Sequence, residues 1–185
     1  MTSIGIILGS TRPGRNGEAV AHWVRDQAIA HGHTDVEIVD LHDFGLPHLD
    51  EPSPAAAGVY TQPHTRQWSD KVAGFDAFVF VTPEYNRSMP GVLKTAVDFL
   101  FDEWANKAAA FVSYGVHGGV RAVEHLRSVL GQLRVASVTS QVSFSIFTDF
   151  AEMTRFTPGD HHEVAAKAMF DELVSWAEAL KTLRV

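Results

Sequence analysis

The sequence predicts a doubly wound α/β fold, a five-stranded parallel sheet in the middle of three layers. Two observations carry this. Five short apolar runs are each followed by a segment whose apolar residues recur every three or four positions. The alternation is strict, and right-handed crossovers then place helices on both faces of one parallel sheet. The order 2-1-3-4-5 is taken for the strands, as one of the common orders of such sheets. No repeat, low-complexity tract or linker interrupts the pattern, so residues 1–185 are read as one domain.

Ser3 to Leu8 is a continuous apolar run closed by Gly9, which suits a strand buried on both faces. Val20, Trp23, Val24 and Ala28 mark the first helix, ending near His31-Gly32. Val36 to Asp40 gives the second strand. Leu41 to Pro63 holds four prolines and two glycines, which prevent any long element. His64 to Ala73 forms the next helix, and Phe75 to Val81 the third strand. Thr82 to Gly91 is a polar loop that opens a helix over Val92–Leu100. A fourth strand ends at Val112, followed by a loop from Ser113 to Gly119. Val120, Val123, Leu126 and Leu130 trace a helix stopped by Gly131. Val135 to Val142 contains the fifth strand. Residues 143–159 read as irregular and rich in Phe, and Val164, Ala168, Leu173, Trp176, Ala177 and Leu180 mark a last long helix opened by His161-His162-Glu163.

Composition narrows the function classes. A net charge of −7 argues against broad nucleic-acid binding. No cysteine is present, which removes disulfides, thiolate chemistry and cysteine-held clusters. Ile4 to Leu8 is far too short for a membrane span, and no basic segment or cleavage site of a signal peptide precedes it. A cytoplasmic protein without a membrane partner is expected. Of ten histidines, only His31-Gly32-His33 and His161-His162-Glu163 are clustered, and neither has metal-ligand spacing, so no metal is expected. The motif G-x-S-x-G of a serine hydrolase is absent. Trp104 and the late phenylalanines Phe144, Phe147, Phe150 and Phe156 read as core or subunit-interface residues.

Ligands of doubly wound sheets sit beyond the carboxyl ends of the strands, where the order reverses. The three loops dense in Gly, Arg, Asn, Ser and Tyr follow strands 1, 3 and 4. In the first, Gly9 to Gly17, small residues let backbone N–H groups face an anion, and the next helix N-terminus adds partial positive charge. Ser10, Thr11, Arg12 and Arg15 add donors suited to phosphate. The alternative is that both arginines are solvated and that Ser10 or Asn16 caps the helix. Asp40 stands where a dinucleotide-binding fold places its ribose acid. Without that glycine fingerprint, a helix cap or a solvated strand end is the better reading. In the second loop Glu84 is a base candidate or a surface carboxylate, while Tyr85 and Asn86 suit a planar heterocycle. In the third, Ser113-Tyr114-Gly115 with Gly118-Gly119 lets backbone approach a ring edge.

Gly-Ser-Thr-Arg-Pro-Gly-Arg at 9–15, Thr-Pro-Glu-Tyr-Asn at 82–86, Pro90-Gly91-Val92-Leu93-Lys94 and Ser113-Tyr114-Gly115 with Gly118-Gly119 together resemble the NADPH-dependent FMN reductase family. The resemblance implies a flavodoxin-like fold. It implies FMN as cofactor, with Ser10, Arg12, Arg15, Asn16 and Gly17 around its phosphate. Pro83, Glu84, Tyr85, Asn86 and Arg87 would line the flavin and ribityl chain, and Ser113, Tyr114, Gly115 and Gly118 the other flavin edge. His117 departs from the small residue usual in the family, and Asn16 stands at a variable position.

The implied reaction is hydride transfer from NADPH or NADH to FMN N5. Two electrons then pass to a quinone, flavin, azo compound or similar acceptor, in ping-pong fashion. No side chain is assigned a catalytic role. The alternative is a flavin-binding electron carrier or redox sensor without steady turnover. The resemblance also implies a homodimer, or a tetramer of two dimers, built on the helices after Pro90 and Gly119.

Overall fold

A computed structural model describes residues 2–184. Five parallel strands form the sheet: β1 (Ile4–Leu8), β2 (Val36–Asp40), β3 (Ala77–Pro83), β4 (Ala108–Gly115) and β5 (Ala136–Ser145), in the order β2-β1-β3-β4-β5. Six α-helices accompany them among the described residues: α1 (Gly17–Ala30), α2 (Leu41–Phe44), α3 (Pro63–Ala73), α4 (Gly91–Asp98), α5 (Val120–Gln132) and α6 (His161–Leu180). A hairpin of β6 (Phe150–Ala151) and β7 (Arg155–Phe156) lies before α6.

Position in the sheet explains the strand sequences. The inner strands β1 and β3 are buried at every residue, and β4 at all but its last, because helices cover both faces. The outer strands β2 and β5 mix buried with accessible positions. Alternate strand residues feed two cores. Ile4, Ile6, Leu8, Val79, Val81, Ala110 and Val112 meet α1 and α6 on one face. Ile7, Phe78, Phe80 and Phe111 meet α3, α4 and α5 on the other. There the buried Trp68 and Trp104 donate to the carbonyls of Ala96 (2.8 Å) and Val97 (3.2 Å), so each indole N–H is satisfied where it is dry. Phe80 is wholly buried, 6.0 Å from Trp104 and 6.1 Å from Phe111 between ring centres. Phe80→Ala should cost about 3–5 kcal/mol, read as a lower urea midpoint with unchanged slope.

Three expectations are corrected. The loops after β3 and β4 begin later than the sequence suggests. Thr82 pairs with Ser113 and Pro83 with Tyr114, so these polar residues extend the ladder. Proline is tolerated because Val81 and Pro83 turn their main chain toward β1, which has already ended, while the Glu84 N–H donates to Tyr114 O (3.2 Å) on the other side. Gly131 does not stop α5, which runs to Gln132; the turn comes at Arg134, with φ of 60°. Buried Leu133 and Val135 draw the chain back to the core there. Residues 143–159 are not all irregular. β5 extends to Ser145, and the β6–β7 hairpin pairs Phe150 with Phe156. Phe144 and Phe150 are buried, whereas Phe147 is 64% exposed.

The segment before α6 is held by a buried pair. Asp149 accepts from His162 Nε2 (2.9 Å), from Ser145 N (2.8 Å) and from the Thr148 hydroxyl (3.1 Å). Burial raises the Asp149 pKa, but the hydrogen bond to His162 and its other bonds outweigh it, leaving the carboxyl below its ordinary range. A depressed carboxylate stabilises the fold above its unfolded pKa, near 4, and that contribution is lost as pH falls through the folded value. Trp23, packed 5.2 Å from Phe144 and 6.3 Å from Phe156, reports on this region. Its fluorescence should change on acidification below about pH 4, and Asp149→Asn should flatten that acid limb.

Candidate functional site

The sheet reverses its order between β1 and β3, and the polar loops meet at the carboxyl ends of these strands. Gly9 N donates to Val81 O (2.9 Å), drawing the first loop against β3. Ser10 is buried, and its hydroxyl lies 2.8 Å from the Tyr85 hydroxyl, joining the first loop to the second. Arg12 is exposed, with its guanidinium carbon 5.8 Å from the centre of the Tyr85 ring. It makes no ion pair among the described residues.

Arg15 differs from Arg12. It pairs with Asp40 (2.5 Å) and Glu18 (2.8 Å) and donates to the Ser10 carbonyl. Burial works against its charge, yet the two carboxylates outweigh this and raise its pKa. Asp40 also accepts from His42 N (2.9 Å), so it caps α2 as well as ending β2. Asn16 precedes α1 but makes no side-chain cap; its amide donates to Met153 O (3.0 Å) in the β6–β7 hairpin. The first-turn N–H groups of α1 are left without a side-chain acceptor at the cap. Gly17 opens α1 where a Cβ would come 2.7 Å from the Tyr114 hydroxyl and 2.8 Å from Leu8. Burial pushes the Tyr114 phenol well above its ordinary pKa; nearby Tyr85 adds to this, while Arg12 and Arg15 oppose it.

In the second loop Tyr85 and Ser88 bond to each other in both directions, at 2.9 and 3.1 Å. Asn86 and Arg87 between them have φ of 48° and 74°, the pair of positive values of a type I′ turn. Both side chains are exposed. Glu84 is committed elsewhere: its carboxylate pairs with Arg121 (2.5 Å) and accepts from Arg121 N (3.2 Å) in the first turn of α5. A carboxylate at that helix end is favoured by the backbone dipoles. Ser88 lies 3.0 Å from His125 Nδ1, also on α5. The second loop is thus fastened to α5 at both ends.

The third loop closes on itself. The buried Ser113 hydroxyl donates to Gly118 O (2.6 Å), and Gly118 N and Ile146 N donate to Gly115 O (3.2 and 3.0 Å). Gly118 and Gly119 have φ of 70° and 72°. A Cβ on Gly119 would lie 2.9 Å from Ser113 Cβ and from two backbone atoms of Tyr114. His117 and Val116 are exposed at the tip.

The structure therefore gathers Ser10, Arg12, Tyr85 and Tyr114, with Gly17, around one end of the sheet. It uses Arg15, Glu84 and Ser113 to brace the loops. Sequence reasoning did not find the partners of these braces. Arg121 and His125 share no local spacing with Glu84 and Ser88, which lie 37 residues away in each case. A polar hollow of about 380 Å³ adjoins the first loop, lined by Thr11, Arg12, Gly14, Arg15, Glu18 and Asp40. Two roomier hollows, about 530 and 690 Å³, lie along α4 instead.

The family of NADPH-dependent FMN reductases matches residues 2–149. The chain belongs to this family. It is accordingly an oxidoreductase that depends on FMN and NAD(P)H. An NAD(P)H-dependent FMN reductase of Nectria sp is 37% identical over 190 residues, covering 98% of this chain and 90% of that protein. One from Schizosaccharomyces pombe is 44% identical over 132 residues, 70% of this chain and 66% of its own length. A Pseudomonas putida quinone reductase is 29% identical over 95% of both chains. Among solved structures, the Paracoccus denitrificans flavoenzyme FerB has a TM-score of 0.75 at 22% identity, covering 97% and 98% of the two chains. A short-chain flavodoxin reaches 0.59 at 16%, covering 96% and 99%. These likenesses are of fold, and they agree with the flavodoxin-like strand order. Among the described residues no helix is long and apolar enough to cross a membrane.

Proposed function

We propose that this FMN reductase works as a ping-pong enzyme whose acceptor is a quinone or a similarly flat compound, such as a free flavin or an azo dye. The observation that carries the placement of the cofactor is the donor set at the first loop. Among the described residues Arg12 has no carboxylate partner, Ser10 and Arg12 both meet Tyr85, and the α1 N-terminus has no side-chain cap. This set has the chemistry a phosphate monoester needs: a guanidinium with no acid on it among the described residues, a hydroxyl and backbone N–H groups, all on one loop and the helix it opens.

Bound FMN would supply the redox chemistry, accepting hydride at N5 and delivering two electrons to the acceptor. The chain supplies position. Ser10, Arg12, Asn16 and Gly17 hold the phosphate end. Pro83, Tyr85, Asn86 and Arg87 flank the flavin and ribityl chain, with Glu84 fastening their loop to α5. Gly115 and Gly118 offer backbone to the far ring edge, over a floor set by Ser113 and Tyr114. Glu84 is held by Arg121 and serves no acid–base role in this reading.

The working unit is a homodimer, or a tetramer made of two such dimers, formed by one domain over residues 1–185. The contact would be built on α4 and α5, between which lies an open groove of about 530 Å³ lined by Met89, Lys94, His125 and Val129. A cytoplasmic setting, where nicotinamide donors are kept reduced, goes with the reading.

The test is one cuvette. Purified protein with added FMN should show a bound-flavin spectrum that bleaches with NAD(P)H and recovers when a quinone is added. Steady NAD(P)H oxidation with initial-rate lines parallel at several quinone concentrations supports ping-pong turnover. Oxidation that stops after one equivalent would leave an electron carrier, and no uptake of FMN would end the reading.

A further inference from the structure

Arg15 has no free donor. Its Nε donates to Glu18 Oε1 (3.0 Å) and Nη2 to the same oxygen (2.8 Å). Nη1 and Nη2 straddle the Asp40 carboxylate (2.9 and 2.5 Å), and Nη1 also donates to the Ser10 carbonyl. All five guanidinium N–H groups are thereby engaged. Its side chain is 9% exposed and that of Asp40 is 20% exposed. Arg12, three residues earlier, is exposed and pairs with no carboxylate among the described residues. The two arginines of one phosphate-type loop are thus in different states, one open to a ligand and one saturated.

The saturated arginine spans the site. Asp40 ends β2 and caps α2, so its carboxylate is fixed from two sides. Through Arg15 it fixes the main chain of Ser10, whose hydroxyl meets that of Tyr85 at 2.8 Å. A chain of contacts therefore runs from the edge strand, through the phosphate loop, to the flavin-facing turn. A bidentate guanidinium–carboxylate pair sets both distance and angle, which a single contact does not.

We propose that Asp40 is a positioning residue for FMN binding, acting through Arg15, and that Arg15 orients the loop and does not neutralise the phosphate. This rests on the FMN reading above. It assigns the electrostatic part of phosphate recognition to Arg12 and the backbone N–H groups.

The experiment is FMN titration by flavin fluorescence, at several salt concentrations, on wild type, Arg12→Ala, Arg15→Met, Asp40→Asn, Asp40→Glu and the double variant Arg15→Met/Asp40→Asn. Salt screens exposed charge contacts, so the steepness of the salt dependence reports which arginine meets the phosphate. Asp40→Asn and Arg15→Met should each weaken FMN about tenfold, the scale of losing an outer-shell orienting partner. Both should keep the wild-type salt dependence. The double variant should be no weaker than either single one, because the pair acts as a unit. Asp40→Glu should regain part of the loss, and Arg12→Ala should make the salt dependence shallower.

Two results overturn the proposal. One is Asp40→Asn binding FMN as tightly as wild type or more tightly, as when Arg15 is freed to reach the phosphate. The other is a shallower salt dependence in Arg15→Met. If Asp40→Asn fails to fold by circular dichroism, the salt dependence of Arg15→Met decides alone. Failure of wild type to bind FMN would instead overturn the FMN reading, so the two failures are distinct.

Discussion

Replacing Arg12 by alanine should lower FMN affinity by about 10- to 100-fold and leave the apoprotein as stable as before. The size follows from removing one charge-assisted contact of about 1.5–3 kcal/mol. Stability is spared because Arg12 is exposed and supports no ion pair among the described residues. Equilibrium dialysis with FMN and a thermal melt of the apoprotein check both halves. Riboflavin, which lacks the phosphate, should bind Arg12→Ala and wild type alike. Equal FMN binding by the two proteins would remove Arg12 from the site.

Gly119→Ala should be the most damaging single methyl in the third loop. A non-glycine residue at φ 72° costs about 1–2 kcal/mol. The new Cβ would also lie 2.9 Å from Tyr114 N and O, backbone atoms that cannot rotate aside. Overpacking of that kind adds about 1–3 kcal/mol. The sum, about 2–5 kcal/mol, should appear as a lower urea midpoint, and flavin affinity should fall because Tyr114 and Gly115 are displaced. Gly131→Ala is the control. Gly131 lies exposed inside α5 with open space around it, so alanine there should be neutral or stabilising. A Gly119→Ala variant as stable as wild type would show that the β4–α5 turn can relax at no cost.

The architecture was legible because each inner strand must be apolar on both faces. Ile4 to Leu8 and Ala77 to Val81 announce themselves, and the intervening helices keep a clear period. The strand ends were harder to read. Thr82, Pro83, Ser113 and Tyr114 are polar or ring-bearing and look like loop, yet the ladder continues through them because neighbouring strands still run alongside. Gly131 looks like a helix stop and is a tolerated surface position, because the buried Leu133 decides where the chain turns.

The candidate site was legible at the level of loops. Glycines, hydroxyls and arginines at the ends of strands 1, 3 and 4 mark it without coordinates. What each charged group does was not legible. Arg15 and Asp40 are 25 residues apart, Glu84 and Arg121 are 37 apart, and Asn16 reaches Met153 across 137. Such pairings are made by the fold and leave no local period in the sequence. A helix-cap role for Asp40 was anticipated and is present. Its grip on Arg15 was not anticipated.

The last helix carries a practical lesson about where this protein can be cut. The family match ends at residue 149, yet α6 begins beyond it, and its Met169, Phe170, Leu173 and Ala177 complete the core over β4 and β5. A truncated clone trimmed to the matched region would uncover the apolar face that α6 packs on, leave Phe144 without Phe156 and His162, and strip Asp149 of His162. Expression of such a fragment should give inclusion bodies, while clones carried through Leu180 should remain in the supernatant.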